Sequence, residues 1–309
     1  MVFSKSYIRR SFLAGSATAI AAPLVIRNTF AQTGRRPKTI VDGQVNIWTG
    51  GKPPPTRRQT PFLATDLLTE MTAAGVARAV IIPVSWNPDG VESPLAAVRA
   101  YPDRFRVFGI YDLAAPPERA SIDLLMKREG IAGLRLFLNS SKGQAWMTDG
   151  SGDWFWPIIE QRKIPLMIYP TILPALQQVI EKYPGMKLCI DSLGAIPGKD
   201  GLDGLARHDS ILALAKFPNV VIKASGLPQQ SASSYPFDNL TPYLRKTYDT
   251  FGPERMFWGS DITSLEPLKV TYNECIDSFT RLSWLSDRDL DLIMGRSISE
   301  WMGWPLPAQ

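Results

Sequence analysis

The sequence predicts an α/β fold, a (β/α)8 TIM barrel that forms a single domain. Short apolar runs alternate eight times with segments of helical spacing, and such alternation is typical of a parallel sheet. The eight units lie between Thr39 and Trp304, a length typical of this barrel. No Gly-rich phosphate loop follows the first strand, which disfavours the alternative fold, a doubly wound open sheet.

The first strand is predicted at Thr39–Trp48, whose apolar residues are mostly β-branched. Gln44 and Asn46 are two residues apart in it, so their side chains point to the same face. Buried polar side chains need hydrogen-bond partners. The pair therefore indicates either a site or a polar patch at a strand end.

The remaining elements follow in strict alternation, with Gly and Pro marking most of the helix ends. The further strands are predicted at Ala79–Val84, Arg106–Tyr111, Gly133–Leu138, Pro165–Tyr169, Lys187–Asp191, Val220–Lys223 and Met256–Gly259. The helices are predicted at Ala64–Ala74, Pro94–Ala100, Glu118–Arg128, Asp153–Gln161, Leu173–Lys182, Leu202–Lys216, Leu240–Phe251, Glu266–Leu282 and Asp287–Trp301.

Residues 1–31 are predicted to be a twin-arginine signal peptide that precedes the barrel at residues 32–309. Arg9-Arg10 is followed by Phe-Leu, an apolar run and small residues before Gln32, with no acidic residue. An ordinary secretory signal or an uncleaved anchor is the alternative, although Pro23 and the short run disfavour a membrane-spanning helix. We expect a periplasmic protein, exported by the twin-arginine export machinery, with no stable membrane insertion after cleavage.

The charge of the chain gives no reason to expect nucleic acid as a partner. The net charge is +5, but four basic residues and no acidic ones lie in residues 1–31. The rest of the chain holds 30 basic residues against 29 acidic ones, which is close to neutral. The expected partner is a small-molecule substrate.

The two cysteines, Cys189 and Cys275, fall in a predicted strand and a predicted helix. Two buried free thiols are the favoured interpretation, with a disulfide as the alternative. The absence of a CxxC motif or a Cys/His cluster gives no indication of a structural zinc site.

Polar residues cluster at the predicted C-terminal ends of the strands, where barrels of this class carry their chemistry. The candidates are Gln44, Asn46, Arg135, Tyr169, Ser192, Lys223 and Asp261. The most informative part of the set is the convergence of Asp261, Lys223 and Arg135 on one mouth. Arg57 and Arg58, in the loop after the first strand, are favoured as a solvated pair, with contact to an anionic substrate as the alternative.

Five segments share their order and spacing with a known family. They are Val41–Trp48, Gly133–Phe137, Ile190–Gly194, Ile222–Leu227 and Trp258–Asp261. Together they resemble the amidohydrolase-related family of (β/α)8 hydrolases, and within it the branch that contains lactonases such as 2-pyrone-4,6-dicarboxylate hydrolase. The resemblance covers Thr39 to Trp304.

The chain departs from the family pattern at the metal-binding positions. The His-x-His of strand one is replaced by Gln44 and Asn46, and the histidine of strand five by Tyr169. The Asp-His-Leu-Gly of strand six has Ser192 in place of its histidine, so Asp261 alone remains of the usual set. The one histidine of the chain, His208, is predicted to lie on a helix surface, away from the strand ends.

These replacements predict that no metal and no other cofactor is used. A hydrolytic zinc site needs about three strong ligands, and amide carbonyls are weak ligands for zinc. A hard ion such as calcium is also disfavoured, because one carboxylate supplies little charge.

The resemblance implies a metal-free hydrolysis in which Asp261 deprotonates a water molecule. Arg135 and Lys223 would hold a substrate carboxylate or polarise the attacked carbonyl group. Four further residues are expected to shape the pocket and donate hydrogen bonds, namely Gln44, Asn46, Tyr169 and Ser192.

Three functions follow from this pattern. The first is an exported, metal-independent hydrolase of a small carbonyl compound, such as a lactone or ester that bears a carboxylate. The second is a catalytically inactive barrel that binds a small anion or aromatic acid in the periplasm, suggested by the loss of all the family's histidine positions. The structural alternative to a catalytic role for Asp261 and Lys223 is a buried ion pair between them. A lyase or decarboxylase ranks third, since related barrels that break C–C bonds generally use the missing metal.

Overall fold

Eight parallel strands form one sheet in which each strand pairs with the next along the chain. The computed structural model describes residues 35–111, 119–169, 172–196, 199 and 201–306, and the predicted signal peptide lies outside them. The strands are β1 (Ile40–Val45), β2 (Val76–Ile81), β3 (Phe105–Ile110), β4 (Ile131–Phe137), β5 (Leu166–Tyr169), β6 (Leu188–Ile190), β7 (Val220–Ser225) and β8 (Met256–Gly259). The predicted (β/α)8 barrel is confirmed.

β8 returns to β1 and nearly closes the barrel. The backbone N–H of Asp261 donates a hydrogen bond of 2.9 Å to the carbonyl oxygen of Gln44. Two glycines permit this approach. A Cβ atom at Gly43 would lie 2.7 Å from the carbonyl oxygen of Trp258, and one at Gly259 would lie 2.9 Å from the backbone nitrogen of Gln44. Residues without a side chain are therefore required at this seam.

Helices follow the strands and bury their apolar faces against the outside of the sheet. They are α1 (Ala64–Ala74), α2 (Glu92–Ala100), α3 (Arg119–Met126), α4 (Ser141–Thr148), α5 (Phe155–Gln161), α6 (Leu173–Lys182), α7 (His208–Leu212), α8 (Leu227–Gln230), α9 (Thr241–Phe251), α10 (Tyr272–Thr280), α11 (Asp287–Asp291) and α12 (Ser297–Trp301). No helix among the residues the structure describes has the length and apolar character needed to cross a membrane.

The C-terminal segment packs against the apolar cluster that runs through the barrel. This cluster consists of Val41, Val80, Ile82, Phe108, Met167, Cys189, Val221, Phe257, Ile298, Met302 and Trp304. The guanidinium groups of Arg78 and Arg106 lie over the ring of Trp304, at 4.3 Å and 4.4 Å from its centroid. Arg78 Nη1 also donates to the carbonyl oxygen of Pro305 at 2.9 Å. These contacts cover the N-terminal end of the barrel.

Several predicted boundaries are wrong for local reasons. β1 ends at Val45, because Trp48 forms two backbone hydrogen bonds with Phe62, of 3.0 Å and 3.1 Å, and leaves the sheet. The helix predicted from Glu266 begins only at Tyr272, where Thr271 and Glu274 form a capping box.

Two long predicted helices are also interrupted. Leu202–Lys216 consists of two 3₁₀ segments, Gly201–Leu205 and Ala213–Lys216, on either side of the short helix α7. The terminal helix predicted at Asp287–Trp301 contains a π-helical turn at Leu292–Arg296 between α11 and α12. Neither break alters the order of the strands, so the position of the site is unaffected.

His208 is buried, so its predicted position on a helix surface is wrong. It lies on α7 and is 3% exposed. Its Nε2 lies 2.9 Å from Thr247 Oγ1 on the neighbouring helix α9. Burial lowers the pKa of His208 to about 4, so the ring is neutral at physiological pH. Cys189 and Cys275 are both buried and free, as predicted.

Candidate functional site

A cavity of about 450 Å³ opens at the C-terminal ends of the strands. All eight strands, or the residues directly after them, contribute to its wall. The lining residues are Gln44, Asn46, Pro54, Thr56, Arg57, Pro83, Val84, Ser85, Trp86, Ile110, Arg135, Phe137, Tyr169, Ser192, Gly226, Gln229, Gln230 and Asp261. This volume and mixed lining are typical of a site for a small molecule.

Six of the seven predicted site residues line this cavity. They are Gln44, Asn46, Arg135, Tyr169, Ser192 and Asp261. The seventh, Lys223, is fully buried and does not line it. The expectation that Lys223 contacts a substrate carboxylate is therefore corrected, because other protein groups surround its ammonium.

A buried carboxylate, Asp191, joins two cations beneath the cavity. Asp191 Oδ1 lies 2.8 Å from Lys223 Nζ, and Asp191 Oδ2 lies 2.7 Å from Arg135 Nε. Burial alone would raise the pKa of Asp191, but the charges of Arg135 and Lys223 outweigh it and hold that pKa below its ordinary value. The alternative interpretation, an Asp261–Lys223 ion pair, is wrong, because Lys223 pairs with Asp191.

Arg135 connects this buried pair with the cavity. Its Nε is bound to Asp191, while its guanidinium group lies 4.6 Å from the centroid of the Phe137 ring. It makes no further hydrogen bond with the residues described, and Arg135 lines the cavity. The Nη atoms are therefore available to an anionic group in the cavity.

Asp261 lies two residues after β8 and pairs with Arg57. Asp261 Oδ2 lies 2.5 Å from Arg57 Nη1. Its other carboxylate oxygen, Oδ1, is buried and accepts no hydrogen bond from the part of the chain that the structure describes. The backbone of Asp261 adopts a left-handed conformation with φ of 56°, which Asp tolerates better than most residues. Hydrogen bonds to Gln44 and from Ser264 hold it there.

Arg57 lines the cavity. The prediction that Arg57 and Arg58 form a solvated pair is therefore wrong for Arg57. Arg58 turns away and forms ion pairs with Glu70 and Glu266, at 3.1 Å and 2.5 Å. The backbone N–H of Arg58 donates to the carbonyl oxygen of Thr263 at 2.7 Å. This bond attaches the loop to the segment after Asp261 and so presents Arg57 to the cavity.

The side-chain amides of Gln44 and Asn46 have opposite orientations, each set by its hydrogen-bond partner. Gln44 Oε1 accepts a hydrogen bond from Lys223 Nζ at 2.8 Å. Asn46 Nδ2 donates to the carbonyl oxygen of Ile82 at 2.8 Å, which directs Asn46 Oδ1 towards Thr263 Oγ1 at 3.4 Å. A lysine donates only and a carbonyl accepts only, so both orientations follow from the contacts.

Tyr169 and Ser192 complete the wall on the side of β5 and β6. Burial, followed by the charge of Asp191, raises the pKa of Tyr169 above its ordinary value, so its phenol remains a hydrogen-bond donor at neutral pH. Ser192 Oγ lies 3.2 Å from Ser225 Oγ. Both side chains line the cavity as neutral polar groups.

Asp42, which the sequence did not single out, joins β1 to the segment after β8. Its Oδ1 accepts hydrogen bonds of 2.9 Å from the N–H groups of Gln44 and Ser260, and its Oδ2 accepts one of 2.6 Å from the hydroxyl of Tyr272. Ser260 Oγ also donates to Oδ2. Asp42 therefore fixes the residues next to Asp261 without lining the cavity.

We predict that Asp42 makes folding stability fall as the pH rises from 4 to 6. Burial raises the pKa of Asp42 from 3.8 to about 6, so the folded state binds a proton more tightly than the unfolded chain in this range. The stabilisation is complete below pH 4 and is lost as the pH passes 6, with a total of about 3 kcal/mol.

Urea unfolding from pH 4 to pH 7 of the wild type and Asp42→Asn measures this contribution. Asn keeps an oxygen for the two N–H donors, and the hydroxyls of Ser260 and Tyr272 can rotate to accept from its amide. The difference in unfolding free energy between the two proteins should therefore change across pH 4 to 6. A difference that is constant with pH would contradict the assignment.

The donor set does not fit a hydrolytic metal ion. Gln44 Oε1 is bound by the ammonium of Lys223, and Asp261 Oδ2 by the guanidinium of Arg57. Gln44 Oε1 and one of the two Asp261 oxygens thus already contact a cation, and a third cation would be repelled by these two charges. Within the described ranges there is no group of three or more His, Cys, Asp or Glu residues placed to hold a metal.

Comparisons with known proteins agree with this architecture. A model of the family described as amidohydrolase matches residues 41–309. An L-fucono-1,5-lactonase of Burkholderia ambifaria is 26% identical over 205 residues, which cover 63% of this chain and 68% of that protein.

Solved structures show the same fold. An amidohydrolase from Burkholderia multivorans with bound zinc superposes with a TM-score of 0.70 at 19% identity, over 86% of this chain and 100% of that one. A probable 2-pyrone-4,6-dicarboxylic acid hydrolase from Acinetobacter baumannii with bound citric acid gives 0.64 at 18% identity, over 86% and 99%. With the family match across the whole barrel, the chain belongs to the amidohydrolase family and is a hydrolase of that family.

Proposed function

We propose that this protein hydrolyses a small lactone or ester that bears a carboxylate, without a metal ion, after export to the periplasm. The observation that carries the proposal is the composition of the cavity wall. An aspartate with one uncommitted carboxylate oxygen, Asp261, shares the cavity with the free end of Arg135 and the amide of Gln44. These groups supply a base, an anion-binding group and a hydrogen-bond donor.

In the proposed reaction the carboxylate of Asp261 takes a proton from water as the water oxygen attacks the carbonyl carbon. The carbonyl oxygen becomes an oxyanion, which the hydrogen-bond donors of the cavity stabilise. Collapse of the intermediate breaks the bond between the carbonyl carbon and the ring oxygen. The protonated Asp261 then returns its proton to the leaving oxygen, which completes the ring opening.

Arg57 holds Asp261 in place for this step. Its ion pair occupies Oδ2 and leaves Oδ1 as the oxygen that faces no protein donor among the residues described. The positive charge of Arg57 beside Oδ2 favours one position of the carboxylate. The base is therefore oriented before the substrate binds, which lowers the entropic cost of reaching the transition state.

The charge of the cavity favours an anionic substrate. Among the described residues that line it, Arg57 and Arg135 are basic and Asp261 alone is acidic. Because Arg57 is paired with Asp261, Arg135 is left to bind a carboxylate of the substrate. Tyr169 and Ser192 lie on the same side and supply neutral hydrogen bonds.

Two lactones test the substrate class, chosen because similar proteins are named for them. We expect ring opening of 2-pyrone-4,6-dicarboxylate, which carries two carboxylates, to be faster than that of the neutral L-fucono-1,5-lactone. The loss of each lactone is followed spectroscopically and by product analysis, with the buffer-catalysed rate subtracted. Faster turnover of the neutral lactone would contradict the proposed substrate class. The proposed export is tested by fractionating cells that express the full chain, and the protein should be found in the periplasmic fraction.

Binding without turnover is the second candidate, because Arg57 already neutralises the carboxylate of Asp261 at 2.5 Å. Citrate serves as an unreactive carboxylate probe. If citrate and the dicarboxylate both raise the Tm while the dicarboxylate is recovered unchanged, the protein is a binding protein.

A further inference from the structure

Hydrogen bonds hold both the backbone and the side chain of Gln44. Its backbone N–H donates to Asp42 Oδ1, and its carbonyl oxygen accepts from the N–H of Asp261, both at 2.9 Å. Its side-chain oxygen accepts from Lys223 Nζ at 2.8 Å. Gln44 is thus the residue at which the first strand, the last strand and the buried lysine meet.

Lys223 is saturated by acceptors and has no contact with the cavity. Its Nζ lies 2.8 Å from Asp191 Oδ1, 3.2 Å from the carbonyl oxygen of Gly43 and 3.4 Å from Met167 Sδ, in addition to Gln44. An ammonium group has three N–H donors and no acceptor. The oxygen of Gln44 must therefore face Lys223, and the NH₂ group must face away from it.

The NH₂ group of Gln44 is then the part of the amide that belongs to the cavity. Gln44 lines the cavity, and its Nε2 donates to no residue within the described ranges and is not among their fully enclosed polar atoms without a partner. A donor next to Asp261 is placed to meet the oxygen on which negative charge develops during hydrolysis. The ammonium on Gln44 Oε1 also polarises the amide and strengthens its N–H donors.

We propose that Gln44 Nε2 donates to the oxyanion of the substrate and that Lys223 is a positioning residue that acts through Gln44. This inference rests on the proposed hydrolysis and specifies how the oxyanion is bound.

A double-mutant cycle tests the coupling between the two residues. Gln44→Leu, Lys223→Met and the double variant are compared with wild type for kcat and KM with 2-pyrone-4,6-dicarboxylate and for the Kd of citrate by calorimetry. Gln44→Leu should lower kcat by about 10²-fold with a smaller change in KM, because an oxyanion forms only in the transition state. Lys223→Met should lower kcat by about 10-fold in wild type but less than about 2-fold in the Gln44→Leu background.

Fully additive effects in the cycle would overturn the inference, since they would mean that Lys223 does not act through Gln44. Lys187→Met is the matched control, because Lys187 Nζ donates to the carbonyl oxygen of Trp301 at 2.8 Å, far from the cavity. It should leave kcat/KM unchanged. If Lys223→Met does not fold, Gln44→Glu is tested in its place. Its carboxylate keeps a partner for Lys223 but has no N–H donor for the oxyanion. A kcat equal to that of wild type in Gln44→Glu would overturn the inference.

Citrate binding separates this inference from the proposed function. Suppose that the effects of Gln44→Leu and Lys223→Met on citrate binding are non-additive and that neither lactone is hydrolysed. This result would support the orientation of Gln44 and reject the proposed hydrolysis. Hydrolysis with additive effects would reject the role of Lys223 alone. A wild-type protein that binds neither citrate nor the dicarboxylate would overturn both.

Discussion

Replacing Asp261 by Asn is expected to lower kcat/KM for the ring opening by about 10³-fold, within the 10²- to 10⁴-fold range of general-base catalysis. The amide cannot accept a proton from water at neutral pH. Asn tolerates the left-handed backbone of this position as well as Asp does, so the segment after β8 should keep its conformation. The loss should therefore fall on kcat, and the Tm should fall only by the contribution of the ion pair with Arg57.

Asp209→Asn is a matched control for this experiment. Asp209 is also an ion-paired aspartate, 3.0 Å from Lys246 Nζ, but it lies on α7 and is exposed. Its activity should equal that of wild type. Full activity in Asp261→Asn with an unchanged Tm would contradict the assignment of Asp261 as the base.

Replacing Asp191 by Asn is expected to lower the unfolding free energy by about 3–5 kcal/mol, the usual cost of breaking a buried ion pair from one side. Asp191 is fully buried between Lys223 and Arg135. Without its charge, two cations remain close together in the barrel with no counter-ion between them. The effect should be among the largest that any single carboxylate of this protein produces.

Urea unfolding with a common m-value measures this loss. Asp209→Asn again serves as the control, because exposed ion pairs contribute only about 0–1 kcal/mol. Asp191→Asn should also weaken citrate binding, since Arg135 loses the partner that fixes its guanidinium plane. A loss below about 1 kcal/mol would show that the Asp191 charge does not hold the two cations.

The barrel could be predicted from the sequence because its strands are buried on both faces and appear as continuous apolar runs. β8 has the predicted bounds, Met256–Gly259. Helix α4 has no predicted counterpart, because Ser141–Thr148 contains few apolar residues. Its start depends on one local contact, the hydrogen bond of 3.0 Å from the N–H of Gly143 to Ser140 Oγ.

The convergence of the site residues also follows from the sequence, because the C-terminal ends of parallel strands meet at one end of a barrel. The choice of ion-pair partners does not. Lys223 pairs with Asp191 instead of Asp261, although both carboxylates lie within two residues of a strand end. The register of the strands decides which carboxylate it meets. Ile190 pairs with Ile222, which brings Asp191 level with Lys223. Lys223 itself pairs with Phe257, four residues before Asp261, and the apolar runs of the sequence do not encode this register.

Arg57 shows a second limit of sequence reasoning. It belongs to a Gly- and Pro-rich loop without periodicity, and nothing in its type distinguishes it from Arg58. The hydrogen bond from the N–H of Arg58 to Thr263 and the ion pairs of Arg58 with Glu70 and Glu266 determine which of the two arginines faces the cavity. These are contacts between segments far apart in the chain.

The rate of ring opening by metal-depleted protein tests the central claim most directly. Wild-type protein is treated with a chelator until its metal content, measured by mass spectrometry, is far below one ion per chain. We predict that kcat/KM for 2-pyrone-4,6-dicarboxylate is unchanged by this treatment and is not raised by added Zn²⁺, because the charges of Lys223 and Arg57 beside Gln44 and Asp261 repel a further cation. Loss of activity on depletion, with recovery when Zn²⁺ is restored, would contradict the account.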